Sequence, residues 1–333
     1  MATLVTGGAG FVGLNLVEAL LARGEEVVLF DSGALPAAAE WGFARHAARL
    51  AFVKGDVRDS AAVERAFSAK RIERVAHCAA VTSGAAREAR EPSAIVAVNV
   101  QGTINVLEAA RRRGAGRVVV TSSGAVYGES AYRLAQLHED ATPAVPVTLY
   151  AITKFAAERV CARLRELWPM DVVCARLGTV VGPWERDTGA RDNFGTHSQL
   201  ARFALKGETA VLPPREVRRD WIYARDAADG LAALLEARAP GHGLYNLGAG
   251  KDWSGCITAW CEALRSAFPE FRFRAAKEGE EPNIGYTDCD RGLMDVGRLA
   301  HDVGFRPRFG PAEAYADYLE WLKRTPDFWE KNA

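Results

Sequence analysis

The feature that most constrains this chain is a glycine-rich turn near its N-terminus. Residues 2–5 form a short apolar run that predicts a buried strand, and apolar side chains recur at helical spacing from Leu14 onward. Between the two segments lie Gly7, Gly10 and Gly13. A strand that turns sharply into a helix needs glycine at the turn, and the unpaired N–H groups that begin the helix attract phosphate oxygens. The pattern therefore predicts a turn that binds the diphosphate of a dinucleotide.

The second predicted strand supports this interpretation. Residues 26–30 form an extended, largely apolar run that ends at Asp31. A carboxylate about 20 residues past the glycines is where the adenosine ribose of a dinucleotide is held. Ser32 follows Asp31, so the sequence shows no neighbouring cation for a 2′-phosphate, which favours NAD over NADP. The alternative is a plain β–α–β turn in which Asp31 is merely solvated.

Composition limits the classes of partner. The chain has 333 residues, enough for one large domain or two smaller ones. It carries 42 basic and 42 acidic residues, and this balance predicts neither a nucleic-acid nor a membrane partner. Its six cysteines form no CxxC pair and no zinc pattern, so we expect no metal site. The sequence shows no signal-peptide pattern and no membrane-length apolar run, so we expect a cytoplasmic protein.

Strand-like and helix-like segments alternate along the first half of the chain. The predicted strands are continuous apolar runs at residues 2–5, 26–30, 50–53, 74–78, 117–121 and 171–176. Such runs are typical of strands covered on both faces, and their alternation with helices predicts an α/β fold with a doubly wound parallel Rossmann sheet. We expect an NAD-binding domain over residues 1–177 and a smaller, discontinuous substrate-binding domain over 178–330. Part of about 210–250 is expected to return to the sheet.

Tyr150 and Lys154 are the strongest candidate catalytic residues. They lie four residues apart on a predicted helix spanning roughly 149–167, so they share one face of it. A free phenol, with a pKa of about 10, is a poor base at neutral pH, and an adjacent cation favours the phenolate. Ser123 ends the fifth strand and can hydrogen-bond the same substrate oxygen. A YxxxK spacing alone is common, but its place after the fifth strand of a dinucleotide sheet indicates proton transfer at an alcohol.

Together these motifs resemble the extended short-chain dehydrogenase/reductase family. Within it they are most similar to the NAD-dependent epimerase/dehydratase group, typified by UDP-glucose 4-epimerase. The resemblance implies NAD as cofactor, a homodimer, and hydride transfer at a secondary alcohol carbon of a polar small molecule. That substrate would be sugar-like or sugar-acid-like, with an anionic group left open, and Tyr150 would be its acid/base.

The resemblance also implies a role for individual residues. The implied NAD-binding residues are Gly7, Gly10, Phe11, Val12, Asp31, Asp56, Val57, Ala79, Ala80, Asn99, Tyr150 and Lys154. The implied catalytic residues are Ser123, Tyr150 and Lys154. The candidate substrate-binding residues are Ser83, Ser123, Thr179, Arg186 and Arg219, with solvated surface arginines as the alternative for the last two.

Three departures from the family bear on the reaction. Gly124 and Ala125 stand where the 4,6-dehydratases carry Asp-Glu, and elimination of water needs such an acid and base, so a dehydratase is disfavoured. Thr179 stands where UDP-sugar epimerases usually carry Asn. Residues 278–282 are rich in glutamate where an arginine is expected, and glutamates there would repel a diphosphate.

Alternatives for the activity stay open at this point. Net oxidation of an alcohol and epimerisation by a UDP-hexose 4-epimerase with tightly held NAD would use the same residues. A non-catalytic NAD(H)-sensing protein is an alternative of another class. The set of Ser123, Tyr150 and Lys154 argues against a sensor, because a sensor needs no proton-transfer residues.

Overall fold

The structure is a computed structural model, and it describes residues 2–286 and 288–328. Its strands are β1 (Ala2–Thr6), β2 (Glu26–Asp31), β3 (Leu50–Lys54), β4 (Ile72–His77), β5 (Arg117–Ser123), β6 (Gln136–Leu137), β7 (Asp171–Leu177), β8 (Thr179–Val181), β9 (Thr209–Leu212), β10 (Trp221–Tyr223), β11 (Leu244–Leu247), β12 (Arg272–Ala275) and β13 (Leu293–Met294). The central sheet has seven strands in the order β11-β7-β5-β4-β1-β2-β3, and every neighbouring pair is parallel. The predicted doubly wound parallel sheet is therefore confirmed.

Helices cover both faces of this sheet. They are α1 (Phe11–Ala22), α2 (Ala37–Phe43), α3 (Ser60–Ser68), α4 (Ala85–Arg90), α5 (Pro92–Val96), α6 (Gly102–Arg113), α7 (Glu129–Arg133), α8 (Leu149–Leu167), α9 (Thr196–Leu205), α10 (Ala224–Glu236), α11 (Cys256–Ala267), α12 (Gly297–Val303) and α13 (Pro311–Arg324). Helices α1 and α10 pack together in one layer, and α3 and α6 pack together in the other. The layers require strands that are apolar on both sides.

The continuous apolar strands feed two separate cores. Val5 and Val119 belong to the cluster on the α1 and α10 side, whereas the preceding residues Leu4 and Val118 belong to the cluster on the α3 and α6 side. Successive side chains of a strand point to opposite faces, so each strand contributes to both cores.

The helical segment that begins at Pro92 is interrupted by a π-helical turn. This turn, Ala97–Gln101, separates α5 from α6. The turn carries Asn99, whose side-chain amide pairs with both backbone groups of Val81. Such π turns often mark functional sites, and this one faces the loop that follows β4.

The chain after residue 177 supplies both strands of two small parallel pairs, one strand of a third, and one strand of the large sheet. The pairs are β8 with β10, β9 with β12, and β6 with β13. Strand β11 lies beside β7 at the edge of the central sheet. The division into domains at residues 177 and 178 stays a prediction.

Among the described residues, no helix has the length and hydropathy to cross a bilayer, and no cluster of three or more His, Cys, Asp or Glu side chains is arranged around a metal position.

Candidate active site

The glycine turn after β1 has the tight backbone geometry that the sequence predicts. Gly7 has a φ of +64°, and a Cβ on it would lie 2.5 Å from the backbone nitrogen of Ala79. A Cβ on Gly13 would lie 2.1 Å from the carbonyl oxygen of Gly7. Neither position accepts a side chain. No described side chain caps the first turn of α1, so its N–H groups face the cradle left by the glycines. This arrangement fits a diphosphate.

Asp31 closes one end of the cradle. Its Oδ2 accepts a hydrogen bond from the Ala9 N–H at 2.9 Å, and its Oδ1 accepts one from the Gly33 N–H at 2.8 Å. Burial raises the pKa of Asp31, and these N–H groups together with the nearby Arg186 oppose that rise. A carboxylate in this place suits the hydroxyl groups of an adenosine ribose.

A cavity of about 790 Å³, which we call the inner cavity, follows the carboxyl edge of the sheet. The predicted cofactor and catalytic residues that line it are Gly7, Gly10, Phe11, Val12, Asp31, Asp56, Val57, Ala79, Ala80, Ser123, Tyr150 and Lys154. The structure thus brings residues from six separate segments of the chain to one cleft. Together, the glycine cradle and the acidic ribose site fit NAD.

Asn99 is not among the described residues that line the inner cavity. Its Oδ1 accepts from the Val81 N–H at 2.8 Å, and its Nδ2 donates to the Val81 carbonyl and to Thr153 Oγ1, both at 3.0 Å. The side chain therefore ties the loop after β4 to α8. It was predicted along the cofactor, but its own polar atoms are occupied by the protein.

The three candidate catalytic side chains line the inner cavity from two elements. Lys154 on α8 is buried, and its Nζ donates to the Thr121 carbonyl at 2.7 Å. Ser123 lies at the end of β5, where its Oγ accepts from the Ala125 N–H at 3.2 Å. Tyr150 begins α8, and its backbone N–H donates to Glu88 Oε1 at 3.3 Å. A phenol and a buried ammonium on one helix face can move a proton at a bound hydroxyl.

A buried ion pair behind these residues was missed by the sequence analysis. Glu158 accepts from Arg176 Nε at 2.9 Å and Nη2 at 2.7 Å, and from the Ser122 hydroxyl at 2.5 Å. Burial lowers the pKa of Arg176, but the hydrogen bonds and charge of Glu158 outweigh this effect and raise it. The signal was present, since Glu158 lies four residues after Lys154 and Arg176 interrupts an apolar strand. The pair fixes α8 against β5 and β7.

A second cavity of about 1180 Å³, the outer cavity, opens from the substrate end of the first. The two cavities share Thr179, Arg191 and Arg291. The basic residues that line the outer cavity are Arg191, Arg202, Lys206, Arg215, Arg219, Arg274 and Arg291. Burial and the charge of Arg291 lower the pKa of Arg219 to about 10, which leaves it charged at neutral pH. The outer cavity therefore suits an anionic group.

The predicted substrate residues are placed in three different ways. Thr179 and Arg219 line the outer cavity, and Ser123 lines the inner one. Ser83 lies outside the described lining of both, and its hydroxyl donates to Glu88 Oε1 at 3.1 Å. Arg186 lies at the Asp31 end of the inner cavity, away from Arg219. The expectation that Asp31 has no nearby cation is therefore wrong, because a residue distant in sequence supplies one.

Residues 278–281, which include three glutamates, do not line the outer cavity. The structure describes all four of these residues. Glu280 instead binds both terminal nitrogens of Arg274, each at 2.6 Å. Three residues that follow this segment in the chain do line the outer cavity: Gly285, Tyr286 and Arg291. These carboxylates are therefore not part of the lining of the outer cavity, although Glu280 pairs with Arg274, which is.

Comparison with known proteins assigns the chain to a family. The model of the NAD dependent epimerase/dehydratase family matches residues 3–248. The chain belongs to this family. The UDP-glucose 4-epimerase of Mycolicibacterium smegmatis is 32% identical over 331 residues, which cover 97% of this chain and 99% of the relative. This family member is therefore an NAD-dependent enzyme, as the motifs predicted.

The proteins that this chain resembles include both epimerases and dehydratases, the two activities in the family's name. The dTDP-glucose 4,6-dehydratase of an Actinoplanes species is 28% identical over 344 residues, covering 99% of this chain and 100% of the relative. The crystal structure of the Thermus thermophilus UDP-glucose 4-epimerase in complex with NAD superimposes with a TM-score of 0.76 at 29% identity, covering 97% and 99% of the two chains.

Proposed function

We propose that this enzyme is an epimerase that moves a hydride between NAD and a secondary alcohol carbon of a sugar linked to a nucleoside diphosphate. The observation that carries the proposal is the junction of the two cavities. The inner cavity holds Ser123, Tyr150 and Lys154, and the outer one holds the buried Arg219 among basic side chains. A sugar at the junction would leave its diphosphate among guanidinium groups, which bind phosphate oxygens well.

The proposed roles follow from position. NAD, when bound, supplies the hydride acceptor and donor. Tyr150 moves the proton of the substrate hydroxyl, Lys154 presents its ammonium on the same helix face, and Ser123 positions the substrate oxygen. Thr179 and Arg219 contact the substrate.

Epimerisation is favoured over elimination by two residues near Ser123. Gly124 and Ala125 line the inner cavity and carry no acid or base. A dehydratase must remove a proton and a hydroxyl from neighbouring carbons, and these positions offer neither group. The similarity to UDP-glucose 4-epimerases supports a UDP-hexose as the first substrate to test.

The test follows both the sugar and the cofactor. Purified enzyme is mixed with UDP-glucose, product sugars are followed by NMR, and absorbance is followed at 340 nm. We expect UDP-galactose without net absorbance, and a Tyr150→Phe variant that still binds NAD but is at least about 100-fold slower. Accumulation of NADH in step with substrate loss would show a dehydrogenase instead. NAD binding without turnover in the wild type would favour a sensor.

We also infer that the enzyme is a homodimer. Val96 on α5 and Ile152 on α8 are large apolar side chains that are 43% and 45% exposed, and their helices pack side by side. Apolar side chains on adjacent exposed helices support an interface between copies of the chain. The cytoplasmic location stays a prediction.

A further inference from the structure

Residues 184–192, which we call the strap, run along the inner cavity from one wall to the other. At one end Arg186 Nη2 donates to the carbonyls of Ala9, at 3.3 Å, and of Ala34, at 3.1 Å. At the other end Thr82 exchanges two backbone hydrogen bonds with the strap, at 2.8 and 3.1 Å. The strap residues that line the cavity between these ends are Arg186, Thr188, Gly189, Ala190 and Arg191.

The guanidinium group of Arg186 lines the inner cavity, and only some of its N–H groups have hydrogen-bond partners. Its Nη2 bridges the glycine turn and the loop after Asp31, while its Nε is buried without a hydrogen-bond partner among the described residues. A buried N–H donor left without an acceptor is costly, so the position calls for an acceptor that binds there. The adjacent glycine cradle is built for phosphate oxygens, which are strong acceptors for arginine.

The two ends of the strap are anchored by different forces. Trp184 packs in an aromatic cluster, with ring centroids 5.2 Å from Trp321 and 5.7 Å from Phe328. The far end is held by polar contacts, since Asp192 accepts from the Gly84 N–H at 2.8 Å and pairs with Arg87 at 2.7 Å. Polar contacts near the surface are weaker than a buried aromatic cluster. The Asp192 end is therefore the one that can open.

We propose that Arg186 is a cofactor-binding residue, and that the strap closes over bound NAD by docking Asp192 on the Gly84–Arg87 side of the cleft. Opening of that end is then the step that admits and releases the cofactor. NAD would bind to Arg186 and pass the strap in this way whatever the sugar substrate is, so these roles do not depend on the proposed function.

The test measures cofactor binding with no sugar present. Apo enzyme is titrated with NAD by calorimetry, and NADH release is followed by stopped-flow fluorescence after mixing with excess NAD. We expect Arg186→Leu to weaken NAD binding at least tenfold. We expect Asp192→Ala to accelerate both NADH binding and NADH release at least fivefold, with the dissociation constant changing less than threefold. That pattern identifies a gate rather than a lost contact.

Two controls keep the result interpretable. Arg71→Leu removes an arginine that is 91% exposed and pairs only weakly with Glu73, so it should bind NAD like the wild type. Arg87→Ala breaks the Asp192 contact from the other side and should reproduce the faster exchange even if Asp192→Ala folds poorly. Unchanged NAD affinity in Arg186→Leu, or unchanged exchange rates in both gate variants, would overturn the proposal. If the enzyme does not act on UDP-hexoses but its variants show these effects on NAD binding, only the proposed function is refuted.

Discussion

Asp220 is a buried carboxyl in the inner cavity, and its protonation affects the stability of the fold. It follows Arg219 and is 6% exposed, and its Oδ2 accepts from the Met294 N–H at 3.0 Å. Burial raises the pKa of Asp220 to about 7, against the opposing effect of the Met294 and Ala249 N–H groups. The carboxyl therefore holds its proton in the native state at pH values where an unfolded chain has released it.

This shift predicts a pH dependence of stability. Between the unfolded pKa near 4 and the folded value near 7, the native state binds more protons than the unfolded state, so the free energy of unfolding falls as pH rises. The slope from one such group is at most about 1.4 kcal/mol per pH unit. Asp220→Asn cannot titrate and should lose this part of the slope. Urea unfolding of both proteins at pH 5, 6, 7 and 8 measures the difference, and identical slopes would contradict it.

At the scale of elements, helix α8 carries two of the three proposed catalytic residues, and a buried ion pair fixes its position. Thr148 caps the helix by accepting from the Ala151 N–H at 3.2 Å, and Tyr150 and Lys154 follow within two turns. Farther along, Glu158 binds Arg176 of β7 and the Ser122 hydroxyl of β5. The pair thus links the helix that bears Tyr150 to the strand that bears Ser123.

Breaking that pair from one side should be strongly destabilising. Arg176→Met leaves the Glu158 carboxylate buried without its cation, and we expect a loss of about 3 to 5 kcal/mol in the free energy of unfolding. The double variant with Glu158→Leu should lose less, because no buried charge remains. Arg163→Met is the control on the same helix: its pair with Glu166 has both side chains 66% exposed and should be worth under about 1 kcal/mol. Urea unfolding of the wild type, the two single variants and the double variant measures these free energies. Equal losses of unfolding free energy for Arg176→Met and Arg163→Met would contradict the prediction.

At the scale of the whole molecule, the proposed homodimer makes a prediction about mass in solution. A charge at Ile152 or Val96 would be buried in an interface formed by α5 and α8, and an unpaired buried charge is unfavourable. We expect wild-type enzyme to run as a dimer, and Val96→Glu with Ile152→Glu to run as a folded monomer, in size-exclusion chromatography with light scattering. Leu167→Glu, at the end of α8 where Leu167 is 57% exposed, should leave the dimer intact. A monomeric wild type, or a dimeric double variant, would show that the interface lies elsewhere.

Local pattern was enough to predict most elements that form the sheet. The bounds of α8 were predicted as they stand, and part of about 210–250 was expected to return to the sheet, where β11 lies beside β7. Shorter elements such as α2 and α4 were not predicted. Their few turns carry little periodicity, and contacts with the rest of the molecule decide whether such segments become helical.

By itself, the sequence determined the β1–glycine turn–α1 unit and the pairing of Tyr150 with Lys154 on one helix face. Both depend on the side chains of neighbouring residues and on the geometry of one helix or one turn. Only the tertiary structure decided that Arg186 approaches Asp31, that Glu280 turns to Arg274, and that Arg291 joins the two cavities. These contacts join segments far apart in the chain, and their partners are selected by the packing and burial of the whole molecule rather than by spacing.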